Sequence, residues 1–353
     1  MIRKIRSCRG NDSSRSYGVL VILTFLLAAC APQPTPVPEP SATASLTFTP
    51  PPTSTPTATP TASLTPEPDW YEGTDPAYSV MRYRYGLVQD PAARVYLSLA
   101  DAVAGNGNFG YLPNAPAYVS VVGEETRDGR TYYTVYYGWM RAEDVQLIEP
   151  SAFRGLLLTR DVPFRFGWVL DGVQSVNAAG DPIQGYTRYQ IVHEVPAVTE
   201  NPGHVAVGPD EWLPEGSVAL VDGRVPPEAG EICRFIHVDL SAQTLRVFDG
   251  CRLVFATLVS TGSQAGWTFP GRFGIVQTFP FIQLTPPDGS LSVYYLEGVP
   301  DFMTYSGDLG FHGAYWHDDF GRPVSHGCVN LSPGDALWLY EWAGIGEYVF
   351  ITE

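Results

Sequence analysis

The sequence predicts a mainly β protein: two small β-barrel modules, then a β-rich C-terminal domain ending in a short helix and a last strand. Three observations carry that prediction. Apolar and polar residues alternate at period two from Tyr118 to Val122, from Tyr132 to Tyr136 and again within Ile232–Thr261. The pattern aromatic-Arg-aromatic-Gly-x-Val-x-Asp occurs at Tyr83–Asp90 and, 81 residues later, at Phe164–Asp171. Ser332-Pro333-Gly334-Asp335 reads as a helix start, with a capping serine, proline at the first helical position and an acid at the third.

The first 68 residues stand apart from these patterns. Arg3 to Arg15 form a basic region and Gly18 to Leu27 a short apolar run, as in a secretory leader over residues 1–29. Its end, Leu27-Ala28-Ala29-Cys30, resembles the lipobox of bacterial lipoproteins, which implies lipidation of Cys30; an ordinary leader with a chance cysteine is the alternative. Between Ala31 and Pro68 there are 12 Pro, 10 Thr and 4 Ser in 38 residues, so residues 30–68 are expected to be a disordered linker with nothing to bury. At roughly 3.1 Å per residue it would reach about 120 Å. These features predict an exported protein, lipid-anchored at a bacterial membrane and facing the cell wall.

Beyond residue 29, 16 bases and 36 acids remain, a net charge of −20, and no lysine follows Lys4. Binding to nucleic acid draws on basic residues that displace counterions from phosphates, so no nucleic-acid partner is expected. Adhesion to anionic lipid through a basic surface is disfavoured for the same reason.

The repeat places one module at 69–150 and another at 151–230. A second pair of markers supports it: Trp139 with Val145 six residues on, and Trp212 with Val218 at the same spacing. Asp128-Gly129 supplies a hairpin turn between the alternating runs of the first copy. Gly138 to Val145 resembles the last strands of bacterial SH3-like domains, so each copy is expected to be an SH3-like barrel. The aromatic residues would then fill barrel cores or line a groove for wall polymer.

Ile232 to Thr261 reads as a β-meander with turns at Ser241-Ala242 and Asp249-Gly250. A hairpin centred on Ala242 would set Cys233 opposite Cys251, where a cross-strand disulfide is sterically plausible; two buried thiols are the alternative. After the helix start, Leu337 and Tyr340 recur at helical spacing before Gly344, and Tyr348 to Ile351 form a final strand.

The chemistry-bearing segment is Ser325-His326-Gly327-Cys328-Val329-Asn330, with Phe311-His312-Gly313 upstream. A cysteine nucleophile needs a base close in space, and sixteen residues between His312 and Cys328 allow two neighbouring strands to bring them together. Gly327 lets a substrate carbonyl approach backbone amides that could stabilise an oxyanion. No Cys-x-x-Cys or His-x-x-x-His accompanies the pair, so neither a metal nor a cofactor is expected.

These residues resemble the L,D-transpeptidase catalytic domain, the YkuD family, whose hallmark is His-Gly, about a dozen residues, then Ser/Thr-His-Gly-Cys-x-Asn/Arg. Val238-Asp239-Leu240-Ser241 and Ser260-Thr261-Gly262 add to the likeness, which covers about residues 231–353. One departure is visible: Thr268-Phe269-Pro270-Gly271-Arg272-Phe273 has its proline one place later than the family's Thr-Pro-x-Gly-x-Phe. The resemblance implies a thioester mechanism with Cys328 as nucleophile, His312 as base, the Gly313 carbonyl orienting the imidazole and His326 serving from the other side. The amides of Gly327 and Cys328 would form part of the oxyanion hole, within a loop that includes Ser325 and Asn330. Tyr315 and Trp316 would wall the substrate cleft or pack in the core, and His317 would be a surface histidine beside Asp318 and Asp319. Cys328 beside His312 is expected to have a lowered pKa. The implied reaction is L,D-transpeptidation of peptidoglycan stem peptides, open to acylation by carbapenems. The alternatives are an L,D-carboxypeptidase using water as acceptor and a non-catalytic wall-binding lipoprotein.

Overall fold

The structure, a computed structural model, describes residues 69–112, 117–196, 201–285 and 294–353. The leader, Cys30 and the Pro/Thr/Ser-rich segment lie outside the described residues. The described chain is mainly β, as expected, and residues from Asp69 onward belong to one compact unit.

The meander forms as its alternation predicts: Phe235–Asp239, Thr244–Asp249 and Arg252–Leu258 pair antiparallel in sequence order. Val238 faces Leu245 and Ile236 faces Val247, which centres the first hairpin between Ser241 and Ala242, half a residue before the expected Ala242. Asp239 sets that turn, its Oδ1 accepting from Ser241 Oγ and Ala242 N. Cys251 lies beyond the ladder, in a two-residue turn where both Gly250 and Cys251 take positive φ. Its N–H donates to the Cys233 carbonyl at 2.8 Å, and the two cysteines are disulfide-bonded.

Tyr348–Thr352 pairs parallel with Phe235–Asp239 and is buried on both faces through Val349, Phe350 and Ile351, the burial that parallel pairing requires. These strands belong to a seven-stranded sheet. A second seven-stranded sheet contains Val329–Leu331, Leu309–Gly313 and Tyr295–Ser306. Ile236, Val247 and Phe255 of the first sheet pack with Met303, Phe311 and Leu331 of the second. Each such fully buried side chain contributes roughly 1.5–3 kcal/mol.

The helix Pro333–Trp342 closes one end of this core with Ala336 and Leu339. Ser332 caps it as expected, accepting from Asp335 N. Asp335 does more than complement the helix end. Its fully buried carboxylate accepts from Thr74 Oγ1 (2.7 Å), Gly155 N (2.7 Å) and Thr257 Oγ1 (2.5 Å), tying the chain before each repeat to the helix end and the meander.

The two repeat copies share one strand order. In the first, Arg84–Val88 lies between Ala117–Val121 and Gln146–Ile148; in the second, Phe166–Val169 lies between Ile191–His193 and Val218–Val221. In both, the next strand forms a second sheet with the Trp139 or Trp212 strand, and a short 3-10 turn precedes the last strand. The repeated glycine has a steric reason. A Cβ on Gly86 would stand 2.2 Å from Val145 Cγ1, and one on Gly167 would stand 1.8 Å from the Ala219 carbonyl oxygen.

Two details differ from expectation. Asp128-Gly129 does turn a hairpin, but its arms are Gly123–Arg127 and Arg130–Val135; the run beginning at Tyr118 turns away at Val122 into the other sheet. The sheets also run across residues 150 and 230. Tyr71–Gly73 pairs with Leu156–Leu158, which pairs with the meander, while Ala117 and Tyr118 pair parallel with Tyr295 and Leu296.

Candidate active site

The sequence excursion between His312 and Cys328 ends on adjacent strands. Leu309–Gly313 and Val329–Leu331 pair parallel, with His312 opposite Asn330 and Gly313 opposite Leu331. Cys328 immediately precedes the second of these strands. His312, Cys328, Ser325, His326, Asn330 and Trp316 line one cleft of about 590 Å³.

The imidazole of His312 is buried between Phe302 and Trp316, whose ring centroids each lie 5.6 Å away. Its Nδ1 lies 3.3 Å from the Gly313 carbonyl oxygen, which only accepts, so Nδ1 carries the proton and the Nε2 lone pair is free for base chemistry. Burial pushes the His312 pKa down to about 4, partly offset by the Gly313 carbonyl, so the ring is neutral at ordinary pH.

The expected low thiol pKa is corrected. Burial pushes Cys328 up to about 11, with the charge of Asp308 adding to the effect and the Gly310 amide opposing it. The thiol donates to the Asp308 carbonyl at 3.8 Å, and among the described residues no hydrogen bond joins it to His312. The resting pair is therefore a neutral thiol and a neutral imidazole. Proximity in sequence motif does not by itself make an ion pair: a buried neutral imidazole and a half-buried neutral thiol avoid the cost of separating charge in a poorly solvated cleft.

The loop from Ser325 to Cys328 is wired from within. Ser325 Oγ donates to the Cys328 carbonyl (2.6 Å) and accepts from Gly327 N (3.0 Å). The Gly327 amide, expected as an oxyanion donor, is engaged inside its own loop here. Gly327 has φ 130°, and a Cβ there would meet Leu309 Cδ2 and the Trp267 carbonyl at 2.9 Å, so only glycine fits. His326 is exposed, stacks on Trp267 at 5.2 Å and has its pKa lowered by partial burial.

Sequence reasoning missed the support of this loop by Thr268. Its Oγ1 donates to the Gly327 carbonyl (2.7 Å) and accepts from Gly262 N (2.8 Å). Thr268 begins the segment whose proline is displaced, and the departure leaves this brace intact. It also missed the apolar wall supplied by Phe279, Ile282 and Phe302, and Tyr118 reaching in from the first repeat.

Tyr315 and Trp316 separate. Trp316 lines the cleft, whereas Tyr315 is core, stacked 3.6 Å from Tyr85 with its hydroxyl donating to the Glu297 carbonyl. His317 is not a surface histidine. It is half-buried, with Nε2 3.0 Å from the Asn330 side-chain amide, and burial pushes its pKa down to about 4. Among the described residues no cluster of three His, Cys, Asp or Glu could hold a metal ion.

A thiol and a neutral imidazole with a free Nε2, set in an aromatic cleft on paired strands, define the equipment of a cysteine acyltransferase or hydrolase. Comparison with known proteins narrows the class: residues 234–351, a third of the chain, match the family model YkuD, the L,D-transpeptidase catalytic domain. The curated YkuD protein of Bacillus licheniformis is 30% identical over 117 residues, 33% of this chain and 64% of that protein. Among solved structures, an L,D-transpeptidase from Stackebrandtia nassauensis is 30% identical, with 35% of this chain and 57% of that one covered and a TM-score of 0.29. One from Mycobacterium smegmatis is 18% identical over 67% of this chain and 99% of that one, with a TM-score of 0.31. The chain thus spans less than two thirds of the length of the first two relatives.

Proposed function

We propose that this protein is a peptidoglycan L,D-transpeptidase that works through a thioester on Cys328. The observation that carries the reading is the His312 geometry: Nδ1 held by the Gly313 carbonyl and Nε2 free, in the same cleft as the only free thiol among the described residues. Cys328 turns from the Asp308 carbonyl, gives its proton to His312 Nε2, and its sulfur attacks the carbonyl of the third stem residue. The bond to the terminal D-alanine breaks, and His312 returns the proton to the departing amine. An amine of another stem then attacks the thioester, restoring the thiol. The Cys328 amide would serve the oxyanion, since the Gly327 amide is held by Ser325. His326 would contact substrate from the open side.

In the same reading, residues 1–29 direct export, Cys30 carries the lipid and the linker sets the catalytic unit within the wall. The two repeats are SH3-like modules, the first of which walls the cleft. Incubating the enzyme with disaccharide-tetrapeptide tests the reaction. Cross-linked dimers with released D-alanine are expected. Tripeptide alone would reassign the acceptor to water, making it a carboxypeptidase, and unchanged substrate would leave a wall-binding lipoprotein.

A further inference from the structure

The structure assigns His317 as a positioning residue that fixes the orientation of the Asn330 side-chain amide beside the reacting pair. This rests on the thioester reading above. Asp319 N–H donates to His317 Nδ1 at 3.1 Å, so Nδ1 holds a lone pair and the ring proton sits on Nε2. The Nε2–H must then donate. Its neighbour at 3.0 Å is the Asn330 amide, whose Nδ2 would also donate, while Asn330 Oδ1 is buried without a partner. Half a turn of the amide resolves the donor–donor conflict: Oδ1 accepts from His317 Nε2–H, and the NH2 moves to the enclosed place that Oδ1 held.

That orientation matters because of the strand register. Asn330 pairs with His312 across the two parallel strands, so these two side chains share one face of the sheet, and Cys328 lines the same cleft. Negative charge develops in this cleft on Cys328 sulfur as its proton moves to His312 Nε2. An amide oxygen turned toward it would oppose that charge, and an amide NH2 favours it. His317 thereby decides which end of Asn330 the chemistry meets.

The loop carrying His317 is held by the second repeat. Tyr189 Oη donates to the Asp318 carbonyl (2.6 Å) and accepts from Phe320 N (3.2 Å). Arg188 also donates to the Asp318 carbonyl, and Ser260 Oγ holds the Asp319 carbonyl at 2.6 Å. These four links over Asp318–Phe320 hold the loop that keeps Asp319 N–H on Nδ1.

The test measures carbapenem acylation of the intact soluble protein by stopped flow, separating the maximal rate from the half-saturating concentration. Asn330→Asp is isosteric and still accepts from Nε2–H, but it presents an oxygen to the reacting face. It should fold normally and lose about tenfold or more in maximal rate, with half-saturation little changed. His317→Phe should lose a similar factor, His317→Gln, which keeps a donor at the same reach, should stay within about threefold of wild type, and His317→Phe with Asn330→Ala should be no slower than the slower single variant. Wild-type maximal rates in Asn330→Asp or His317→Phe would overturn the assignment, as would nitrogen NMR showing the His317 proton on Nδ1. A wild-type protein that forms no adduct would instead remove the thioester reading, and this assignment with it.

Discussion

The two repeats have the same strand order but meet the active site in different ways. In the first, Ala117–Val121 continues the sheet that carries His312, pairing with Tyr295 and Leu296, and Tyr118 becomes part of the cleft wall. In the second, the corresponding strand Ile191–His193 ends a three-stranded sheet of its own, and the preceding turn, Arg188-Tyr189, clamps the Asp318–Phe320 loop. One copy lines the cleft and the other holds the loop behind it. A duplicated fold leaves its outer strand edge and turns free to diverge, because the repeated glycine and tryptophan positions already satisfy the interior.

The most severe way to break this arrangement is Asp335→Ala. It leaves Thr74, Thr257 and the Gly155 amide without their shared acceptor, loosening the segments before both repeats from the helix end. A loss of roughly 3 kcal/mol or more is expected, read as a lowered midpoint in urea unfolding. The two copies are separated by Tyr118→Ala and Tyr189→Phe. Tyr118→Ala should raise the half-saturating substrate concentration about three- to tenfold at nearly constant maximal rate, as loss of an aromatic wall does. Tyr189→Phe keeps the ring and removes two hydrogen bonds, so it should lower the maximal rate several-fold and Tm by about 2–4 °C, leaving half-saturation unchanged. The opposite split between the two variants would reverse the roles given to the repeats.

Much of this was legible in the sequence, for identifiable reasons. The meander, the helix start and the last strand follow from local alternation and capping chemistry, and the repeat from glycines that have no room for a Cβ. The His312 and Cys328 positions follow from a motif whose spacing returns the chain to an adjacent strand. What stayed hidden depends on tertiary placement. The roles of Tyr118 and Asp335 depend on sheets that cross residues 150 and 230, which no local pattern records. The thiol's raised pKa depends on burial that a His-Gly-Cys motif does not encode. His317 looked like a surface residue because two acids follow it, yet those acids face the second repeat and the ring turns inward.

The burial of Cys328 gives a smaller, graded prediction. Alkylation by a neutral reagent should rise with pH up to about 11 rather than level off below 8.5, and in protein without residues 1–30 one thiol should titrate in both native and denatured states without reductant. Because the folded thiol holds its proton more tightly than the unfolded one, the fold should lose stability as pH rises from the ordinary thiol range to about 11. A rate plateau near pH 7 would restore the ion pair that the geometry disfavours.

The central claim is that Cys328 is the nucleophile, and intact mass spectrometry after exposure to a carbapenem tests it most directly. Wild-type protein should gain the mass of one acyl adduct, and Cys328→Ala should gain none while keeping the wild-type unfolding midpoint. An adduct of wild-type yield on the Cys328→Ala protein would contradict the account.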